Sequence, residues 1–455
     1  MIRNEQFISW CDRAMAFSFF ALIYFLPISI ALAEIFTAAA LFFYLLKRGG
    51  MFYGESKKSL PERTKTPLWK KGYAFLKAFK PIKNCLNWPI AIFLLYHFAS
   101  IFLSQHPRVS FEGFMGKSLQ SAFLYFNFIE CINSKKRLKI FLTTLGISCL
   151  LICTNGFSQY FMGRGFIHGH IYEGRIASSL RQANDFAAYL VVMIPILLGL
   201  FVVGIFKQKQ VDAQPPPDSF RTHFCKLKIL IFIIFILATI CLGLTYSRGA
   251  WIGFVLSFAI FGMTNRKVLL SSVLVIITFL LIFFPGMMKK RSPVNSIDQS
   301  RWENSREGYI RFFQWDNNRL GYWKRASSII KDYPTFGSGL NTYSLVSQRY
   351  TAGWGGYPHN SYIQLVSETG IIGISIFLWM LIVLFRCSLR AMKKIEVQSQ
   401  KILLLGCSAG LLGFLIHSFF DTSFYSVQLG SLLWVTIGLV VAIQKIEFAK
   451  DAGSP

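Results

Sequence analysis

The residues with the most chemical capacity in this sequence are one histidine and a set of arginines placed where long apolar runs begin or end. His359-Asn360 stands at the mouth of such a run, and Tyr246-Ser247-Arg248-Gly249-Ala250-Trp251 makes the very short link between two others. Arg175 and Arg181 precede Asn184 and another run, while Arg319 and Arg325 fall on a polar segment. Lys117 lies within an apolar run, where an ammonium is costly unless it is paired or faces a cavity. Each has an ordinary reading taken singly. An arginine at a membrane boundary snorkels to lipid phosphates, a histidine at a helix mouth caps or packs, and Lys117 pairs with Glu112 on the preceding turn. Convergence is what distinguishes a site. These cations and one titratable base share one face of the membrane with few acids beside them, and clustered guanidinium groups repel one another unless an anion lies among them. An imidazole neutral near pH 7 suits removal of a proton from a hydroxyl. The acids Glu112, Glu173, Asp185, Asp298, Glu303, Glu307, Asp316, Asp332, Glu368 and Asp421 are scattered with no Asp-x-Asp pair, so no metal is expected. A pyrophosphate held by guanidinium groups, leaving under arginine stabilisation alone, fits this set. Lys117, Asn360 and Arg325 are expected to border the same cavity.

The elements that must position these residues follow from composition. Of 455 residues, 53% are hydrophobic and only 15% charged, against the roughly one quarter charged in an ordinary soluble domain. Apolar runs cover 14–46, which with its 33 residues and Pro27 is too long for one crossing and reads as two, and then 89–103, 111–132, 138–156, 183–206, 229–246, 250–264, 268–285, 361–385, 402–420 and 426–443. The expected fold is all-α and polytopic, with about 12 transmembrane helices. The run from Ala14 continues far past the signal-peptide-like Ala31-Leu32-Ala33, which favours an uncleaved helical hairpin. Threading the spans alternately from an inside N-terminus puts 31 Lys and Arg in the inside segments and 5 in the short outside ones. That bias is the positive-inside rule, with both termini inside. The net charge of +27 is therefore topological, and with no soluble basic face nucleic acid is not an expected partner.

Three parts result: membrane helices with basic loops over 1–284, a large outer loop over 285–360, and membrane helices with a tail over 361–455. All nine cysteines lie outside the polar stretch 285–358, so it has no disulfide, and no zinc-ligand spacing occurs anywhere. Segment 68–80, with Trp69, Tyr73, Leu76 and Phe79 at helical spacing among lysines, reads as an interfacial helix on anionic lipid or as a solvated linker. Gln214-Pro215-Pro216-Pro217 marks an inner loop. The outer stretch carries Trp302, Trp315, Trp323 and Trp354, enough aromatic content to order it. Within it 319–332 reads as a helix capped by Asp316 or Asn317, with an apolar stripe of Tyr322, Ala326, Ile329 and Ile330 and a stop at Pro334. Phe336-Gly337-Ser338-Gly339-Leu340 reads as a turn.

Several motifs are similar to those of one known family. Pro358-His359-Asn360-Ser361-Tyr362 followed by Glu368-Thr369-Gly370-Ile371-Ile372-Gly373 resembles the H-N-x₇-E-x-G-x-x-G signature of the O-antigen ligase/polymerase superfamily. Thr245 to Trp251 resembles its S-R-G motif, and Arg175 to Ala187 resembles its R-x-x-G-x-F-x-x-P-N-x-x-A segment, with Ala183 in place of the proline. Arg319-x₃-Trp323-x₂-Ala326 with Pro334-x₂-Gly337-x-Gly339 resembles its loop helix. The resemblance implies a GT-C-like membrane glycosyltransferase in the bacterial inner membrane, with its active site facing the periplasm. Its donor would be an undecaprenyl-pyrophosphate-linked glycan and its acceptor a sugar hydroxyl of lipid A-core. A polymerase joining carrier-linked repeat units is the alternative within the family, transfer to protein hydroxyls marks a third branch, and a transporter or flippase of lipid-linked sugars is the rival outside it. On the ligase reading Arg175, Arg181 and Arg248 hold the pyrophosphate, Arg319 assists, and His359 is the general base or orients the acceptor. The C1–O bond breaks with inversion and no cofactor is required. All of this depends on His359 and the three guanidinium groups surrounding one cavity at the non-cytoplasmic membrane boundary.

Overall fold

In the computed structural model, residues 2–58, 72, 75, 77–167, 174–212, 218–262, 266–290, 317–350 and 356–451 are described. Most of the interfacial segment 68–80, the proline-rich loop 214–217, Asp316, and Trp302, Trp315 and Trp354 lie outside them. Among the described residues the chain is helical, without a β-strand. The helices are α1 (Ile2–Phe25), α2 (Ile30–Lys58), α3 (Asn87–Ile101), α4 (Pro107–Gly113), α5 (Gln120–Cys131), α6 (Lys135–Met162), α7 (Ala183–Asp212), α8 (Asp218–Leu244), α9 (Arg248–Gly262), α10 (Arg266–Lys290), α11 (Asn317–Asp332), α12 (Tyr343–Val346), α13 (Ser361–Lys394), α14 (Gln398–His417) and α15 (Val427–Asp451). Each apolar run coincides with a helix. Among the described residues eight helices are long and apolar enough to cross a membrane, and α3, α9 and Ser272–Gly286 within α10 are shorter apolar helices. The chain is a multi-pass membrane protein.

The run 111–132 is not one regular helix. Pro107 starts α4 early, and a π-helical turn over Phe114–Leu119, which contains Lys117, joins α4 to α5. The last run of the first part continues through Pro285 to Lys290, so the outer stretch begins later than 285. The helix read over 319–332 is present as α11, with Ala326 and Ile329 fully buried against Tyr343 and Val346. Tyr322 and Ile330 of the expected stripe are only half-buried.

Two packing devices fix the frame. Lipid provides no hydrophobic drive between helices, so tight membrane packing depends on small residues and interhelical hydrogen bonds. Here α7, α9 and α14 meet backbone to backbone: Gly406 lies on the Pro195 carbonyl, Gly410 on that of Val192, and Gly253 on that of Gly413. Ser257 of α9 donates across to the Ala409 carbonyl of α14 (2.9 Å). At one end of the bundle a buried ion cage ties α1, α2, α5 and α6. Lys47 bridges Asp12 (2.6 Å) and Glu130 (2.7 Å), Arg48 pairs with Glu130, and Arg137 pairs with Asp12. Each charge has an opposite partner, the condition under which burial is tolerated, with three cations on two carboxylates.

At the other end the connections touch one another. Ser179 donates to the Pro27 carbonyl (2.6 Å), Gln105 N to the Ser338 carbonyl (2.9 Å), and Ser361 N to the Ser418 carbonyl (2.9 Å). The links 26–29, 102–106, 163–182, 333–342 and 418–426 thus meet on one side, and this is the side that carries the motifs.

Candidate active site

His359 is placed by its neighbours on both sides. Asn360 caps α13, its side-chain oxygen accepting from Tyr362 N (2.9 Å) and Ile363 N (3.0 Å), which satisfies two of the orphan donors of the first turn. Just before it, the Trp323 indole of α11 donates to the Pro358 carbonyl (2.9 Å). Between these anchors the chain turns sharply, and His359 takes φ +47, a left-handed conformation uncommon for a residue with a Cβ. Ser178, Tyr246 and Asn341 are also left-handed, one in each of the other motif segments. Such outliers persist where the surrounding structure over-determines them. Asn360 therefore acts here as a helix cap.

The imidazole leads into one connected chain of polar groups. His359 Nδ1 lies 3.4 Å from Asp421 Oδ1, a long contact that leaves the ring 39% exposed. Asp421 Oδ1 also accepts from Thr422 N (2.8 Å), and Oδ2 accepts from Asn184 Nδ2 (2.8 Å). Asn184 Oδ1 in turn accepts from Arg175 Nη2 (2.7 Å), and Arg175 Nε donates to the Thr245 carbonyl (2.7 Å). Only one orientation of the Asn184 amide serves both neighbours, so its assignment is unambiguous. Residues from five separate stretches of chain, His359, Asp421, Asn184, Arg175 and Thr245, thus form a single network. The Arg175 segment is itself stapled to α6: the Gln159 carboxamide accepts from Ala177 N (3.1 Å) and Ser178 N (2.8 Å) and donates to the Ser178 carbonyl (2.8 Å).

Electrostatics fix the state of Asp421. Burial alone would push its carboxyl up. The His359 hydrogen bond, the neighbouring His417 and the Thr422 N–H outweigh burial and hold it down to about 2, so it is an anion at any working pH. The expectation of few acids beside the cations is corrected here. Asp421 stands within the set, and Asp185, one turn into α7, feels both Asp421 and Arg181.

The remaining cations divide. Arg319 of α11 donates to the Phe420 carbonyl (3.2 Å), next to Asp421. Arg248 is half-buried at the start of α9, where Gly249 abuts the Phe420 side chain. Arg181 is exposed beside Asp185. Arg325 lies with its guanidinium 5.1 Å from the Tyr322 ring centre, and that ring lies 5.8 Å from the imidazole.

Lys117 belongs to a second cluster. Its ammonium donates to Asn341 Oδ1 (2.6 Å) and lies 4.4 Å over the Tyr425 ring, with the buried Glu368 carboxylate in electrostatic range. Glu112 pairs instead with Arg108 (3.4 Å), so the expected Lys117–Glu112 pair is not formed. Lys117 stands five positions from Glu112, off the i, i+4 register, whereas Arg108 stands four positions before it and takes the pairing. Glu368 accepts from Asn341 N (2.7 Å), Tyr343 N (3.2 Å) and Gln364 (3.2 Å).

The Glu-x-Gly-x-x-Gly half of the signature is architectural. Gly370 breaks α13 with φ +64 and ψ −173. The loop after α11 takes up the freed backbone groups: Ser338 N donates to the Ser367 carbonyl and Gly339 N to that of Glu368 (both 2.9 Å), while Ile371 N donates to the Pro334 carbonyl (2.9 Å). A side chain at Gly370 would overlap the Thr335 carbonyl, and one at Gly337 the Glu368 carbonyl. The Pro-x-x-Gly-x-Gly and Glu-x-Gly-x-x-Gly motifs therefore read each other, and together they place the loop over α13.

The sequence reading passed over Asp421 and His417, and it took Asn184 only as part of a motif. Asp421 lies 62 residues from His359 with no fixed spacing to signal it. A polar Asp-Thr-Ser stretch between two apolar runs was the available cue.

Among the described residues no three His, Cys, Asp or Glu side chains are grouped as a metal site would require. No curated protein matches the chain. Residues 233–378 match the family model described as O-antigen ligase, a stretch that takes in the Ser247-Arg248-Gly249 turn, α11, His359 and the Gly370 break, and this match supports the likeness to the O-antigen ligase-like superfamily.

Proposed function

We propose that this protein is an inverting, metal-independent membrane glycosyltransferase. It moves a glycan from undecaprenyl pyrophosphate to a sugar hydroxyl such as one on lipid A-core, on the periplasmic side of the bacterial inner membrane. The observation that carries the reading is the network His359–Asp421–Asn184–Arg175–Thr245, which joins a half-exposed imidazole to Arg175. His359 Nε2 takes the acceptor proton while Nδ1–H faces the Asp421 carboxylate, which holds the tautomer and stabilises the imidazolium. Sugar C1 is attacked by that hydroxyl as the C1–O bond to pyrophosphate breaks. Arg248, Arg181 and Arg319 neutralise the leaving group, and Arg175, already engaged by Thr245 and Asn184, orients the rest.

The test is transfer by purified protein from a defined undecaprenyl-pyrophosphate glycan to candidate acceptors. His359→Ala should abolish it in protein that still inserts and folds. Activity should persist in chelator; loss restored by magnesium or manganese would contradict the arginine-only site. The polymerase alternative is separated by product, since deletion of a polymerase leaves lipopolysaccharide with one repeat and deletion of a ligase leaves none. The transporter reading would gain from the buried Lys117, Glu368 and the break at Gly370. The freed backbone there is taken up by the loop, however, and Glu368 by Asn341, Tyr343 and Gln364, so neither is left for a cargo.

A further inference from the structure

The end of the bundle that holds the ion cage lies away from the motifs, and it carries a pocket that the proposed chemistry does not use. There the first turns of α1 lie against the last turns of α2. Gly50 faces the Phe7 and Ile8 side chains, Gly54 faces the Asn4 amide, and Asn4 donates to the Gly50 carbonyl (3.1 Å). Beside this contact opens a pocket of about 780 Å³, lined by the apolar Phe7, Ile8 and Met51 and by the cations Arg48, Lys57 and Lys77.

The charges around it do not balance. Lys77 pairs with Glu55 (2.7 Å), and Glu5 is the other acid of the lining. Arg48 also belongs to the cage, which adds the cations Lys47 and Arg137 and the carboxylates Asp12 and Glu130. Among these residues five cations stand against four carboxylates. Arg48 is only 7% exposed. Its Nη1 donates to the Ala78 carbonyl (2.7 Å) and its Nη2 pairs with Glu130, but its Nε has no acceptor among the described residues. A buried donor in that state costs stability unless a ligand or water supplies the acceptor.

The setting selects the ligand. Trp10 on α1 and Tyr53 in the lining are exposed, as aromatic side chains are where membrane helices meet the headgroups. A phospholipid presents phosphate oxygens and an acyl chain together at that depth. A soluble phosphate compound would meet the cations and leave Phe7, Ile8 and Met51 without a partner.

We infer that this pocket binds an anionic phospholipid, its phosphate among Arg48, Lys57 and Lys77 and the start of one acyl chain along Phe7, Ile8 and Met51. The inference is independent of the transferase reading, since the pocket lies at the opposite end of the bundle and its test needs no activity.

The experiment titrates the full-length protein in neutral detergent with phosphatidylglycerol, phosphatidylcholine or inorganic phosphate, and reads binding by native mass spectrometry and by thermal unfolding. Phosphatidylglycerol should bind saturably and raise Tm, phosphatidylcholine should bind more weakly, and inorganic phosphate should not displace the lipid. Lys57→Gln removes an exposed cation that the cage does not use, so the protein should fold as the parent does. It should weaken phosphatidylglycerol binding about five-fold. Met51→Trp, which crowds the apolar part of the pocket, should weaken it as well. Lys136→Gln removes an exposed lysine at the same end but outside the lining, and should change binding less than about two-fold. Phosphatidylcholine binding as tightly as phosphatidylglycerol overturns the inference. Equal losses in Lys57→Gln and Lys136→Gln overturn it too, by marking a general attraction to the basic face. Displacement of the lipid by inorganic phosphate would mark a free-anion site and overturn it likewise.

Discussion

Replacing Asp421 by asparagine changes one charge and almost no volume, and the network makes its consequences specific. Asp421 accepts at both oxygens, from Thr422 N and His359 on one and from Asn184 on the other. An asparagine offers only one acceptor oxygen. Whichever way its amide turns, an N–H is set against either the Asn184 amide or the His359–Thr422 pair. The folded protein holds the Asp421 carboxyl near 2, against an ordinary value of 3.8, a difference of nearly two units. At about 1.4 kcal/mol per unit, the native ionised form gains about 2 kcal/mol. The sign follows from the depressed value: the stabilisation is present above the unfolded value near 4 and is lost as pH falls through about 2. Asp421→Asn should therefore lower thermal stability at neutral pH. Its kcat should fall about 100- to 1000-fold, because the imidazole loses both its tautomer restraint and the counter-charge for its protonated form. The assay is initial-rate transfer in detergent, with unfolding followed across pH on the same preparation. A variant within about three-fold of the parent rate would refute the role of the carboxylate, as would unchanged thermal stability at neutral pH.

Other perturbations test separate parts of the account. Arg175→Lys should cost about 1–3 kcal/mol of stability and much of the activity, because one ammonium cannot reproduce the fork that reaches Thr245 and Asn184; a silent variant would contradict the network. Lys117→Met leaves the Glu368 carboxylate buried without its counter-charge and should destabilise by about 3–5 kcal/mol, yet the rate per folded molecule should be unchanged, since Lys117 belongs to the second cluster. Gly370→Ala forces a Cβ into both a left-handed backbone and the Thr335 carbonyl; it should fail to accumulate or melt far below the parent, and normal accumulation would show that the loop is not spliced into α13 as described.

What was legible in the sequence follows the range of the forces involved. Apolar runs announce helices because each span must satisfy its own backbone in lipid, and each run coincides with a helix. Asn360 and Pro334 mark helix boundaries through local backbone chemistry, and both hold. The π turn around Lys117 was not legible, because one additional residue in a turn leaves hydropathy unchanged, and the partner Asn341 lies 224 positions away. Asp421 was invisible for another reason. Its partners His359 and Asn184 are 62 and 237 positions away, brought to it by the glycine contacts between α7 and α14, and no local pattern carries that information.

The central claim is that His359 and Asp421 work as one unit, and a double-mutant cycle on transfer rates measures this most directly. Residues that act together are strongly non-additive. His359→Ala with Asp421→Asn should be no slower than His359→Ala alone. Losses that multiply, or a His359→Ala protein that still transfers glycan at the parent rate, would contradict it.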